Sequence, residues 1–270
     1  MPPGFYITTA AYRRFLTEHG LQERILEDAS AATPDQPATL EEAFNQIEKL
    51  FAQTAMPDDI AEDIRRAYAG IGEGDVPVAV RSSATDEDLP EMSFAGQQET
   101  YLNVCGSEAV LEAVKKCWAS LWAARAIGYR ASHNIAPQDV SLAVVVQVLV
   151  SADAAGILFT ANPLTRARSQ MMINTVWGLG EANVSGAVTP ETLKVEKATG
   201  RIVSRVTADK QSMTVRAETG TREAPVPDFQ KKKAVLTDAQ AAELAKLGAA
   251  MHHATQNGRP RPRGWWTRNC

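Results

Sequence analysis

Cysteine is scarce: three residues in a chain of 270, Cys105, Cys117 and Cys270. They make no Cys-x-x-Cys pair and no zinc-like spacing. An odd count without a framework excludes a disulfide-stapled scaffold and points to a reducing, cytoplasmic setting. Positive charge is not in excess either. Lys and Arg number 28 against 32 Asp and Glu, a net charge of −4. That balance offers no electrostatic case for nucleic acid or an anionic membrane. Long apolar runs are missing. The longest, Leu142 to Val150, is interrupted by Gln147 and is too short to cross a bilayer as a helix. The start, Met1-Pro-Pro-Gly-Phe-Tyr6, has no basic stretch ahead of an apolar core and does not read as a signal peptide. Histidine is sparse, four residues in all. The adjacent His252 and His253 would diverge by about 100° on a helix, poor geometry for a shared metal. No catalytic histidine is assigned.

What is present is an ordinary globular composition, 44% hydrophobic and 22% charged. It is enough to bury one large core or two smaller lobes. The N-terminal third reads as helices. Thr8 or Thr9 caps the first, which runs to about Glu18, and Leu21 to Ala29 forms the next. Ala31 to Ala38 reads as a loop, followed by a capping box with Thr39 as N-cap and Glu42 at N3. Leu40, Phe44, Ile47 and Phe51 make one apolar stripe. Pro57 opens a helix to Tyr68. Ser107 to about Ser132 reads as one long helix, with Trp118 and Trp122 in its core face and Lys115, Lys116, Arg125 and Arg130 largely opposite. Val140 to Val150 reads as a strand buried on both faces. Gln147 within it either bonds a neighbouring backbone group or faces a ligand.

Further along, Gly156 to Ala161 and Met171 to Trp177 are strands. Gly178-Leu-Gly-Glu181 permits tight packing or ligand approach. Glu191 to Thr207 is a hairpin around Gly200. Glu218 to Lys233 reads as an exposed connector. A second capping box, Thr237 with Gln240, starts a helix with Leu244, Leu247 and Met251 inward. Strands and helices without a strict βαβ rhythm indicate a mixed α/β (α+β) architecture.

The segment that organises the chain is Pro77 to Val104. Val78 to Val80 is a short buried strand that delivers one cation, Arg81. The hydroxyls of Ser82, Ser83 and Thr85 follow, then the acids Asp86, Glu87 and Asp88. Small residues Ser93, Ala95 and Gly96 precede a second extended run, Thr100 to Val104. One guanidinium, several hydroxyls and a glycine that lets backbone N–H groups approach an anion suit a polyphosphate. The same residues also read as a solvated loop in which Arg81 pairs with Asp86 or Asp88.

Val80-Arg-Ser-Ser-Ala, Ser93-Phe-Ala-Gly-Gln and Thr100-Tyr-Leu-Asn resemble the nucleotide-binding domain of the phosphoenolpyruvate synthase and pyruvate phosphate dikinase family, which includes the rifamycin phosphotransferases. Cys117-Trp-Ala-Ser-Leu121, Gly156-Ile-Leu-Phe-Thr-Ala161 and Trp177-Gly-Leu-Gly-Glu-Ala182 extend the likeness over most of the chain. The resemblance implies an ATP-grasp-like fold of two lobes that clamp ATP. It implies a phosphotransferase that passes a phosphoryl group from ATP to a carrier histidine on another domain, and then to pyruvate or a rifamycin. Matched residue by residue, Arg81 would hold phosphate oxygens and act in catalysis. Gly96 and Thr100 would belong to the phosphate-covering loop, and Gln147 would lie near the nucleotide. Residues 1–135 would form the lobe with that loop, 136–258 the second lobe, and 259–270 a divergent tail without regular structure.

The departures matter equally. The family's Gly-Gly-Lys-Gly segment has no counterpart ahead of Pro3-Gly-Phe. After Gly258-Arg-Pro260 the family's Asp-x-Glu-Trp strand is replaced by Arg261-Pro-Arg-Gly-Trp-Trp-Thr-Arg-Asn-Cys270, and no Asp or Glu follows Glu243. The Mg²⁺ expected for the family therefore loses its ligands. The chain alone is expected to be catalytically incomplete, relying on carrier-histidine and acceptor-binding domains encoded elsewhere. The rival reading is a non-catalytic nucleotide-binding or interaction module of the same fold.

Overall fold

Two β-branched runs far apart in sequence meet in one sheet. In the computed structural model, which describes residues 2–84, 99–133, 135, 140–184, 186–256 and 264–268, the chain divides into two compact units, Met1–Leu149 and Val150–Cys270. The first unit runs β1 (Gly4–Ile7), α1 (Thr9–Glu18), α2 (Leu21–Ala31), α3 (Pro37–Gln53), α4 (Asp58–Ala69), β2 (Val78–Ala84), β3 (Thr100–Val104), α5 (Ser107–Ser120), α6 (Ala124–Ser132) and β4 (Leu142–Val148). Its sheet is antiparallel, in the order β1-β4-β2-β3. The division falls after β4, which is hydrogen-bonded to both β1 and β2.

One face of this sheet is the core. Ile7, Val78, Val80, Val144 and Val146 pack with Tyr12, Phe15, Ile47, Phe51, Trp118 and Trp122 from the helices. Both tryptophans are fully buried, as expected. The indole N–H of Trp122 donates to the Tyr12 hydroxyl at 3.0 Å. β4 is not buried on both faces. Leu142, Val144 and Val146 are buried while Ala143, Val145 and Gln147 are half-buried, the period-2 signature of a sheet with one open side.

Several helix boundaries differ from the sequence reading. α3 begins at Pro37, which sits in its first turn without needing an N–H donor. Thr39 is therefore inside the helix, and its hydroxyl donates to the Gln36 carbonyl at 2.9 Å while accepting from Thr33 N–H at 2.9 Å. The long helix from Ser107 is broken at residues 121–123 into α5 and α6. The break frees the Leu121 carbonyl, which accepts from Arg130 Nη1 at 2.7 Å. The guanidinium lies 4.9 Å from the Trp122 ring centre. Arg130 is thus buried rather than on the polar side. Lys115 is buried as well, its ammonium donating to the Ala52 carbonyl at 3.0 Å and pairing with Glu112 at 2.9 Å. Both long side chains bury their stems because a backbone carbonyl waits at the end.

The second unit runs β5 (Ala154–Phe159), β6 (Gln170–Trp177), α7 (Glu181–Val184), β7 (Glu191–Glu196), β8 (Ile202–Val206), β9 (Ser212–Arg216), β10 (Thr221–Pro225), α8 (Asp228–Lys231), α9 (Asp238–Gln256) and β11 (Gly264–Arg268). Five strands form one antiparallel sheet, β11-β5-β6-β7-β8, and β9 and β10 form a hairpin. The hairpin takes up part of the stretch expected to be a connector. Residues 264–268, expected to lack regular structure, pair along β5. The capping box at Thr237 is present: Thr237 N–H donates to Gln240 Oε1 at 2.9 Å, and Gln240 N–H to Thr237 Oγ1 at 3.3 Å. α9 turns Ala241, Ala245 and Gly248 inward, and Leu247 is exposed. The small residues face the sheet because a Cβ at Gly248 would already lie 2.7 Å from Leu158 Cδ2.

The centre of this unit is a buried carboxylate. Glu191 is fully buried and accepts from Arg205 Nη1 at 2.6 Å, Val235 N–H at 2.7 Å and Thr175 Oγ1 at 3.2 Å. Arg205 also donates to the Leu236 carbonyl at 2.9 Å and to Asp238 at 2.8 Å. One ion pair thus ties β7 and β8 to the segment that starts α9.

Candidate nucleotide site

The strand β2 does not end at Val80. It continues through Arg81, Ser82 and Ser83, so Arg81 is a strand residue and not a loop residue. Period-2 alternation then decides what each side chain faces. Ser82 points to the core side, is buried, and its hydroxyl donates to the Glu99 carbonyl at 3.2 Å. Arg81 and Ser83 point to the open face. The register places Arg81 opposite Thr100 of β3 and opposite Val145 of β4. Directly paired residues share a face. Ala79 is opposite Gln147, so Gln147 lies on the same face, diagonal to Arg81 at about 7–8 Å between backbones. Across β1 the same face continues with Gly4, paired to Gln147, and Tyr6, paired to Val145.

Three of the four expected site residues, Arg81, Thr100 and Gln147, therefore stand on one open face of one sheet. Gly96 lies outside the described residues, as do Asp86 and Asp88, the acids of the rival ion-pair reading. The period-2 pattern starting at Arg81 adds Ser83 and Val145 to the face. The sequence reading missed this because it ended the strand at Val80, whereas β2 continues to Ala84.

Arg81 is exposed, and among the described residues it has no hydrogen-bond or ion-pair partner. Its pKa is nevertheless lowered, by desolvation alone. Solvent reaches the side chain, yet enough protein surrounds the guanidinium to strip part of its water. It remains charged. A partly desolvated cation without a counter-charge attracts an anion. The nearest acid in register, Glu99, is already paired with Arg125 at 3.0 Å. Gln147 is less free: its amide donates to the Pro2 carbonyl at 3.1 Å. The backbone partner weighed for a buried Gln is thus present.

The Gly178-x-Gly180 element resolves toward packing. Gly178 has φ +72°, and a Cβ there would lie 2.3 Å from the Thr214 carbonyl oxygen. Its N–H donates to the Asp153 carbonyl at 2.7 Å. Only glycine fits such an approach. The side chains of His19 and His133 are in aromatic contact with Phe15 and Tyr129 respectively. Among the described residues no group of three His, Cys, Asp or Glu is placed to hold a metal ion. No helix among the described residues is long and apolar enough to cross a membrane.

The fold is a mixed α/β domain whose first sheet carries, on its open face, an arginine with no partner among the described residues. The comparisons give the family. Residues 1–258 match the family "Pyruvate phosphate dikinase, AMP/ATP-binding domain", and the chain belongs to it. A probable phosphoenolpyruvate synthase of Methanocaldococcus jannaschii is 46% identical over 253 residues, covering 92% of this chain and 21% of that protein. The phosphoenolpyruvate synthase of Pyrococcus furiosus is 42% identical over 292 residues, covering 92% of this chain and 36% of that protein. A rifampicin phosphotransferase of Streptomyces sviceus is 42% identical over 266 residues, covering 98% of this chain and 30% of that protein. The chain thus spans only about a fifth to a third of the length of these relatives.

Proposed function

We propose that the chain holds ATP on the open face of the β1-β4-β2-β3 sheet, as the nucleotide-binding part of a dikinase-type phosphotransferase. Arg81 neutralises phosphate oxygens through charge-assisted hydrogen bonds that a lysine would not reproduce in bidentate form. Thr100, directly opposite, adds a hydroxyl, and Gln147 borders the nucleotide. Gly96 lets the covering loop approach the phosphates. In the complete reaction a phosphoryl group passes from ATP to a histidine on a separate domain, then to pyruvate or a rifamycin hydroxyl. Such transfer is positioning and charge neutralisation more than covalent chemistry by the nucleotide domain. The observation that carries the reading is the partly desolvated Arg81 beside Thr100, without a partner among the described residues.

The chain by itself would bind without turning over, since no histidine is assigned as carrier. The test is to incubate it with γ- or β-labelled ATP, alone and with a purified carrier-histidine domain. Label on the carrier histidine only in the mixture supports the reading. ATP binding with no transfer under any pairing favours a non-catalytic module, and no ATP binding at all contradicts both.

A further inference from the structure

The loop from Thr160 to Ser169, between β5 and β6, is built more firmly than a connector requires. Asn162 is buried and anchors it. Its Oδ1 accepts from Leu164 N–H at 3.0 Å and Thr165 N–H at 3.2 Å, and its amide donates to Gln170 Oε1 at 3.1 Å. Asn162 N–H donates to the Ala167 carbonyl at 3.0 Å, and Arg166 N–H to the Asn162 carbonyl at 2.8 Å. The loop so fixed holds Leu164 outward, 78% exposed. It also holds Arg166 at φ +60°, left-handed backbone that favours glycine. An arginine kept in strained backbone is where function is worth seeking. Arg168 follows, exposed. Lys197, after β7, is tied to the loop by its N–H to the Ser169 carbonyl at 2.8 Å. Burial and the neighbouring Arg168 both lower its pKa. Among the described residues none of these three cations has an ion-pair partner.

We propose that this loop is a docking knob for a protein surface with an apolar pocket ringed by carboxylates. Leu164 is the anchor, and Arg166, Arg168 and Lys197 supply the complementary charge. A rigid knob loses little conformational freedom on binding, so a small contact can be specific. The charges steer the encounter and select against basic surfaces. A protein surface fits better than a lipid one, because a single leucine beside three cations is too little apolar area for membrane insertion. None of these residues is among those named for the nucleotide, and all lie in the second compact unit.

The test uses the whole chain and two helical peptides that differ only in charge: leucines spaced along a glutamate-rich helix, and the same helix with glutamine for glutamate. Binding is followed by fluorescence at low and high salt, with phosphatidylserine vesicles as a third probe. The glutamate peptide should bind at least about tenfold more tightly than the glutamine one, an advantage that falls with salt. Leu164→Ala should weaken it by about tenfold or more, and Arg166→Glu with Arg168→Glu should abolish the preference. Arg166→Gly keeps the left-handed backbone, so its folding should be intact while binding weakens. Equal affinity for both peptides, indifference to Leu164→Ala, or a preference for the vesicles would overturn the proposal.

Discussion

Replacing Glu191 by leucine should be among the most damaging single changes in the second unit. The carboxylate has no solvent exposure and accepts from Arg205, Val235 N–H and Thr175. Removing it leaves Arg205, itself only 20% exposed, with the Leu236 carbonyl and the exposed Asp238. Breaking one side of a buried pair costs about 3–5 kcal/mol. The stranded Val235 N–H is one source of that loss, about 1–3 kcal/mol on its own. We therefore expect a loss of about 3–5 kcal/mol, against total stabilities of about 5–15 kcal/mol for a domain. The assay is urea unfolding followed by circular dichroism, read as the midpoint at constant slope. Glu191→Leu with Arg205→Met should recover part of the loss, because an apolar replacement of both partners removes the unpaired charge. A single variant within about 1 kcal/mol of the parent, or a double variant worse than the sum of the singles, would refute the reasoning.

Gly178→Ala should destabilise by more than about 2 kcal/mol in the same assay, since it adds backbone strain at φ +72° to a 2.3 Å clash with the Thr214 carbonyl; a neutral result would mean the turn shifts freely. Lys210 is buried with one backbone acceptor, the Ala208 carbonyl at 3.0 Å, and its pKa is lowered by burial. Lys210→Met should accordingly be within about 1 kcal/mol of the parent or more stable, and a large loss would show the ammonium to be a needed partner of Glu191. Burial raises the Tyr12 phenol from its ordinary value of 10.0 to about 12. The folded state then holds a proton the unfolded state has lost, so its contribution is complete below about pH 10 and disappears as pH rises through about 12. Urea midpoints across that range should fall, and Tyr12→Phe should flatten the fall while costing the hydrogen bond from Trp122.

Much of the fold was legible because it rests on periodicity. The stripe Leu40, Ile47, Phe51, the paired tryptophans and the β-branched runs mark the core of the first unit directly. The hairpin around Gly200 and the Thr237 box are local devices whose residues announce themselves. What was not legible depends on long-range partners. Arg130 and Lys115 look like surface cations until a carbonyl from a helix break or a neighbouring helix end receives them. Residues 264–268 look structureless until β5 offers backbone partners. At the site, Arg81 and Gln147 stand out from the residue pattern itself, and the resemblance adds Thr100. That they share one face follows from the β2–β3 and β2–β4 registers, which no local pattern encodes. Gln147 carries its own qualification in the Pro2 carbonyl it binds.

The central claim is that Arg81, on an open sheet face and without a partner among the described residues, receives the phosphates of ATP. Calorimetric titration of the chain and of Arg81→Ala with Mg-ATP tests it most directly. Loss of a charged hydrogen-bond partner is worth about 1.5–3 kcal/mol, so the account predicts roughly ten- to 150-fold weaker binding with adenosine affinity unchanged. An identical dissociation constant for both proteins would contradict it.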